Sequence, residues 1–277
     1  MTEHEHPVPG HGADGGLPDL VGTALPALAV LVCAAAYLWL AHRARDRNPV
    51  RGWSHRRTAS FLTGLLLLGI ALLPPVASTA HTDFRGHMVQ HLLIGMYAPL
   101  ALVLGAPVTL LLRTLPAAGA RRITSALHSR PARLLTRPTV ALALTTGSLA
   151  VLYFTPLYNA TAAHPAGHWL LHAHFLLAGC LFAHVIAGPD PAPARPGVRT
   201  RLVHIGVAIA AHAVISQLMY GGYRVDIRAP IPEVKAAAEI MYYGGDIAEL
   251  LLAGALVSTW RPQRRAQPVP DGAPARA

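Results

Sequence analysis

The apolar residues of this chain come in blocks about 20 long, separated by short arginine-bearing segments. At a rise of about 1.5 Å per residue such a block crosses the roughly 30 Å hydrocarbon core of a bilayer. A backbone in hydrocarbon must satisfy its own hydrogen bonds, so apolar blocks of this length leave a helix bundle as the only economical fold. Seven spans are predicted, near 20–42, 57–79, 86–112, 138–158, 165–187, 201–220 and 235–259. The expected architecture is all-α, a polytopic membrane helix bundle of about seven transmembrane helices. Charged residues make up 13% of the 277 positions, about half the share of a soluble domain, which agrees with that class.

The net charge of +10 looks at first like a nucleic-acid signature. Its placement says otherwise. Of the 23 Lys and Arg residues, 19 fall in the segments after spans one, three and five and in the C-terminal tail. Only Arg85, Arg224, Arg228 and Lys235 fall on the other side. The positive-inside rule then sets the N-terminus outside and the C-terminus in the cytoplasm of a cell (plasma) membrane. The arginines expect anionic lipid headgroups as neighbours, and no nucleic acid. Residues 1–19 form an expected disordered tail rich in His, Pro and Gly. Residues 20–260 form the membrane domain, and 261–277 a disordered basic tail. The first span reads as a membrane helix rather than a cleaved leader, since it lacks a basic start and a basic loop follows it. Cys33 and Cys180 stand alone in separate spans, which disfavours a disulfide or a thiolate metal site.

Histidine carries the chemistry. His87 and His91 stand four apart at the start of span three, and His168 and His172 repeat that spacing on span five. Residues four apart share one helix face. Spans three and five run in the same direction, so the two pairs are expected at matching depth near the outer surface. His174 points to the other side of its helix from His172. His212 lies near mid-membrane on span six, and Glu239, Tyr242, Asp246 and Glu249 form one polar stripe on span seven. Ionisable groups within a span face the bundle interior and mark function. Imidazoles converging with a carboxylate suit copper, zinc, iron or nickel; Met88, Met96, Met219 and Met241 tilt the choice mildly towards copper. Pro74, Pro75, Pro99, Gly105 and Pro107 are read as packing kinks.

Several stretches carry a resemblance to a known family: HMVQHLL at 87–93, APLALVLGAPVTLLLR at 98–113, YFTPLYNAT at 153–161, HWLLHAHFLLAGCLF at 168–182, AGPDPAPARP at 187–196 and IMYYGGDIAELL at 240–251. With these the chain resembles the caa3-type, CtaG-like cytochrome c oxidase assembly factors, in their actinobacterial form. The resemblance implies a non-enzymatic chaperone for a copper-containing oxidase, with a copper-centre oxidase subunit as partner. It carries His87, Gln90, His91, His168, His172, His174, His212 and Asp246 as the polar signature. One position departs from the pattern: Glu233, followed by Val234, stands where an Asp-Gln pair is expected.

The residues leave three other readings open. Paired histidines on facing helices suit a haem in an electron-transfer protein. His212, Asp246 and Glu249 would serve as deeper steps in a metal or proton carrier. A membrane metallohydrolase is the third, although HExxH is missing from the chain.

Overall fold

The computed structural model describes residues 17–259 apart from 51, 193 and 194, with side chains from residue 22 to 258. Of the two expected tails, residues 1–16 and 260–277 lie outside the described residues. The first helix starts at Leu17, three residues ahead of the expected boundary.

Fourteen α-helices follow in order: α1 Leu17–Arg47, α2 His55–Leu72, α3 Val76–Thr82, α4 Phe84–Leu92, α5 Ala98–Leu104, α6 Pro107–Thr114, α7 Ala117–Leu127, α8 Arg130–Leu135, α9 Pro138–Leu142, α10 Ser148–Phe154, α11 Leu157–Ala162, α12 Pro165–Ala187, α13 Val198–Tyr220 and α14 Ile231–Thr259. No strand occurs among the described residues. The all-helical membrane class therefore holds. Five stretches are long and apolar enough to cross a bilayer: Gly22–Arg47, Phe84–Thr114, α12, α13 and Ile231–Ser258. The pair α2 and α3, bent by 43° at Pro74 and Pro75, makes a sixth if counted as one span. Helix also fills the fourth expected span, but Pro138–Phe154 is shorter than the other candidates. At 17 residues it reaches only about 25 Å.

The stretch from α4 to α6 is the axis of the bundle, packed by α2, α3, α12 and α14, with α1 against α2 and α6 at the edge. The exposed apolar side chains of α1, such as Leu25, Leu31 and Trp39, fit a helix facing lipid. One end of the bundle, the histidine end, carries His87 and His168, and the other, the arginine end, carries Arg113 and Arg195.

The axis is not one continuous α-helix. Pro99 has no N–H to offer the Gly95 carbonyl, its regular partner. Over Leu93–Tyr97 the helix widens to a π-turn, in which the Ala98 N–H reaches back to Leu93 O. A second π-turn, Ala143–Gly147, joins α9 to α10. Around it Thr145 donates to the Ala141 and Leu142 carbonyls, and Ser148 to those of Leu144 and Thr145. Such back-bonding competes with the helical ladder and bends it. The axis breaks again at Ala106, which is fully buried at φ +53°, ψ +53°.

That second break is held from a distance. Asp190, buried in the link between α12 and α13, accepts from Val108 N at 3.1 Å, Thr109 N at 2.7 Å and Thr109 Oγ1 at 2.6 Å. It caps the start of α6, where backbone N–H groups lack helical partners. The PDP segment is thus a clamp between the axis and α12. Asp190→Ala leaves these donors without an acceptor and is expected to cost about 2 kcal/mol. A melting curve in detergent checks this, with Asp190→Asn expected to lose less.

Candidate functional site

Helix α4 opens at the histidine end with two carboxylates. Asp83 accepts from Arg85 N at 2.8 Å and pairs with the Arg85 guanidinium, whose hydrogen bonds hold the Asp83 carboxyl below its usual value. Glu233, the residue that departs from the expected pattern, accepts from Phe84 N at 3.2 Å and so ties α14 to the start of α4. Asn159 latches the loop between α13 and α14. Its amide donates to Asp226 O at 2.9 Å, and its oxygen accepts from Arg228 N at 3.1 Å. These contacts explain Asn159 of the 153–161 stretch as architecture.

Below this frame α4 turns His87, Gln90 and His91 into the bundle, each no more than 4% exposed. Gln90 is the pivot. Its Nε2 donates to the Ala71 carbonyl at 2.8 Å, which can only accept. Its Oε1 therefore faces His172 Nε2 at 3.0 Å and must receive a proton from it. The neutral His172 ring is thereby set as the Nε2–H tautomer, and Nδ1 carries a lone pair. That Nδ1 is buried with no hydrogen-bond partner. A hydrogen bond on one ring nitrogen that leaves the other free to ligate is the usual outer support of a metal-binding histidine.

Around His172 lie further imidazoles. The ring centroids of His168 and His172 are 6.1 Å apart, and those of His81 and His168 are 4.8 Å apart, edge to face. His81, exposed on α3, has no helical-spacing partner in the sequence, so nothing there singled it out. His168 is half-buried with Nδ1 unpartnered. His87 stacks on Phe84 at 5.6 Å and meets the Tyr158 ring at 4.9 Å. Its Nε2 lies 3.4 Å from Tyr153 Oη, and its Nδ1 has no partner.

His91 belongs to a second place. Its ring packs on Phe175 at 4.3 Å, and neither nitrogen has a partner. It lines a cavity of about 60 Å³ together with Met96, Thr145, Thr146, His212 and Glu249. His212 Nδ1 stands 3.8 Å from Glu249 Oε1, while His212 Nε2 and Glu249 Oε2 are unpartnered. Of the polar stripe on α14, Glu249 alone is fully buried; Asp246 is half-buried and Glu239 exposed. Asp246 takes no part in the cavity wall. His174 faces α10 and meets Ser148 Oγ at 2.9 Å.

The imidazoles thus fall into two groups. His81, His87, His168 and His172 surround the histidine end, and His91 and His212 line the central chamber. Among the described residues no three His, Cys, Asp or Glu side chains form a ready ligand set for one ion. The donor chemistry nevertheless suits a metal. Buried polar atoms are almost always paired, yet six ring nitrogens in these two groups are not.

Comparison with known proteins agrees with the motifs. The profile described as cytochrome c oxidase caa3 assembly factor (Caa3_CtaG) matches residues 35–263. Uncharacterized proteins of Mycobacterium bovis and Mycobacterium tuberculosis are each 32% identical over 242 residues, covering 79% of this chain and 36% of theirs. An uncharacterized protein of Mycobacterium leprae is 34% identical over 176 residues, covering 61% of this chain and 27% of its own length. The chain thus spans about a third of the curated relatives it matches. No solved structure matches it. With the profile running through both breaks of the axis and all the buried histidines, the chain belongs to the caa3 cytochrome c oxidase assembly factor family.

Proposed function

We propose that this protein takes up copper at the histidine end and passes it to an oxidase subunit that carries a copper centre. The carrying observation is the His172 ring, held by Gln90 with its Nδ1 lone pair free and with His168 and His81 alongside. Two imidazoles on one ion with bonds of about 2.0 Å and a tetrahedral angle place their ring centroids roughly 5 Å apart. The 4.8 Å and 6.1 Å separations bracket that value. Side-chain rotation of the exposed His81 brings a third donor within reach.

No bond need be made or broken on a substrate. The ion moves by ligand exchange between imidazoles, and a site without a rigid four-ligand cage lets it leave. The arginine end then lies in the cytoplasmic leaflet of the plasma membrane, against anionic headgroups, and the histidine end faces outward, the side on which the ion would be handed over.

Full-length protein in detergent, titrated with Cu(I) against a competing chelator, tests this reading. His172→Ala and His168→Ala are each expected to weaken binding by tenfold or more, and His81→Ala by less. Equal affinity in wild type and all three variants would overturn it.

A further inference from the structure

The central chamber has features that the histidine end does not need. Three helices, α4, α13 and α14, each send a polar side chain at least 96% buried to its wall: His91, His212 and Glu249. Between them these carry four polar atoms with no hydrogen-bond partner. Both π-turns of the bundle border the same cavity, through Met96 on one and Thr145 and Thr146 on the other. π-turns inside α-helices recur at functional sites. A glycine makes room for one of the imidazoles: a Cβ on Gly245 would meet His212 Cε1 at 2.1 Å.

The charge and softness of these groups select an occupant. A lone carboxylate in hydrocarbon is costly, and a monovalent cation beside it gives a neutral site. A divalent ion would leave a buried positive charge. The thioether is a soft donor and the two imidazoles are borderline ones, a set that holds Cu(I) and disfavours hard ions. The wall has room for the ion and for side-chain rotations that bring the donors together, since the cavity measures about 60 Å³.

We propose that the chamber is a second cation station, holding one soft monovalent ion between His91, His212 and the Met96 thioether, with the Glu249 carboxylate as counter-charge. The identity of the ion as Cu(I) rests on the copper reading above; the existence of the station does not. The ion lies deeper in the bundle than one held at His81, His168 and His172, so the two groups form successive stops along the axis.

Full-length protein in detergent is titrated with Ag(I), a redox-inert soft cation, and loaded with Cu(I) for X-ray absorption. Wild type is expected to take two equivalents and to show a sulfur scatterer. Met96→Leu is expected to remove the sulfur scatterer and weaken one equivalent by tenfold or more. Glu249→Gln should weaken the same equivalent and leave the other unchanged. The double variant His81→Ala, His168→Ala should do the reverse. Gel filtration and circular dichroism establish that each variant is folded. Met96→Leu and Glu249→Gln proteins that bind as wild type does, with no sulfur signal in any of them, overturn the chamber and leave the histidine-end reading standing. Loss confined to Met96→Leu and Glu249→Gln sustains the chamber and overturns the histidine-end site. A wild-type protein that binds neither ion overturns both.

Discussion

Gly179→Ala is expected to prevent the bundle from closing. Gly179 on α12 faces the π-turn of the axis, and a Cβ there would stand 2.1 Å from the Gly95 carbonyl oxygen and 2.9 Å from Pro99 Cγ. Neither obstacle is a flexible chain end. The carbonyl belongs to backbone already displaced by Pro99, and the proline ring cannot rotate away. Relief requires α12 to move off the axis, which pulls Phe175 from His91 and His172 from Gln90. Overpacking of this kind costs about 3 kcal/mol. The expected result is a large drop in melting temperature in detergent and a smaller yield of monodisperse protein. A Gly179→Ala protein that melts with the wild type would show that α12 does not sit against the Gly95 carbonyl.

Gly245→Ala is expected to behave differently although the added atom is the same. The three nearest obstacles are atoms of the His212 ring, at 2.1, 2.4 and 3.1 Å from the new Cβ. A side chain can swing to another rotamer at a cost of about 1 kcal/mol, so the bundle should stay folded. The ring then leaves its place beside Glu249 and the chamber loses a donor. Binding of a soft ion there should fall tenfold or more, equivalent to about 1.4 kcal/mol, with the histidine end unaffected. Unchanged affinity at the chamber in folded Gly245→Ala protein would count against His212 as a ligand. The two glycines separate structure from site: one makes room for backbone, the other for an imidazole.

Much of the architecture was legible as periodicity and length. The long apolar blocks could only be helices, and the stretches expected as spans are helical throughout most of their lengths. Span four was the exception in length. Pro138 and the turn after Phe154 cut it to a helix shorter than a bilayer. The prolines of the axis were readable as kinks, but not that one of them opens a π-turn onto a cavity. That outcome depends on Gly179 bringing α12 against the freed carbonyl, 84 residues away in sequence.

The candidate site was legible in part. Spacing of four identified His87 with His91 and His168 with His172, because a shared helix face is a local property. Spacing also suggested that the members of each pair act together. The structure places His91 in the chamber with His212 and leaves His87 among the aromatic rings of Phe84, Tyr153 and Tyr158. On α14 the stripe was visible as a stripe. Which of its carboxylates is buried was decided by the neighbours of each turn, and Glu249, rather than Asp246, meets His212. His81 and Met96 had no spacing signal, since each acquires its partners only across helices.

By itself the amino-acid order determined that this chain is a bundle of membrane helices, which helix faces carry its polar side chains, and to which family its motifs belong. All of these follow from near neighbours along the chain, through hydropathy, helical repeat and local motif. Tertiary structure alone decided how the imidazoles are shared between two places, which tautomer His172 holds, and which acid stands beside His212. Those outcomes depend on contacts between residues far apart in sequence, such as Gln90 and His172 at 82 positions, where the packing of one helix against another sets the distance.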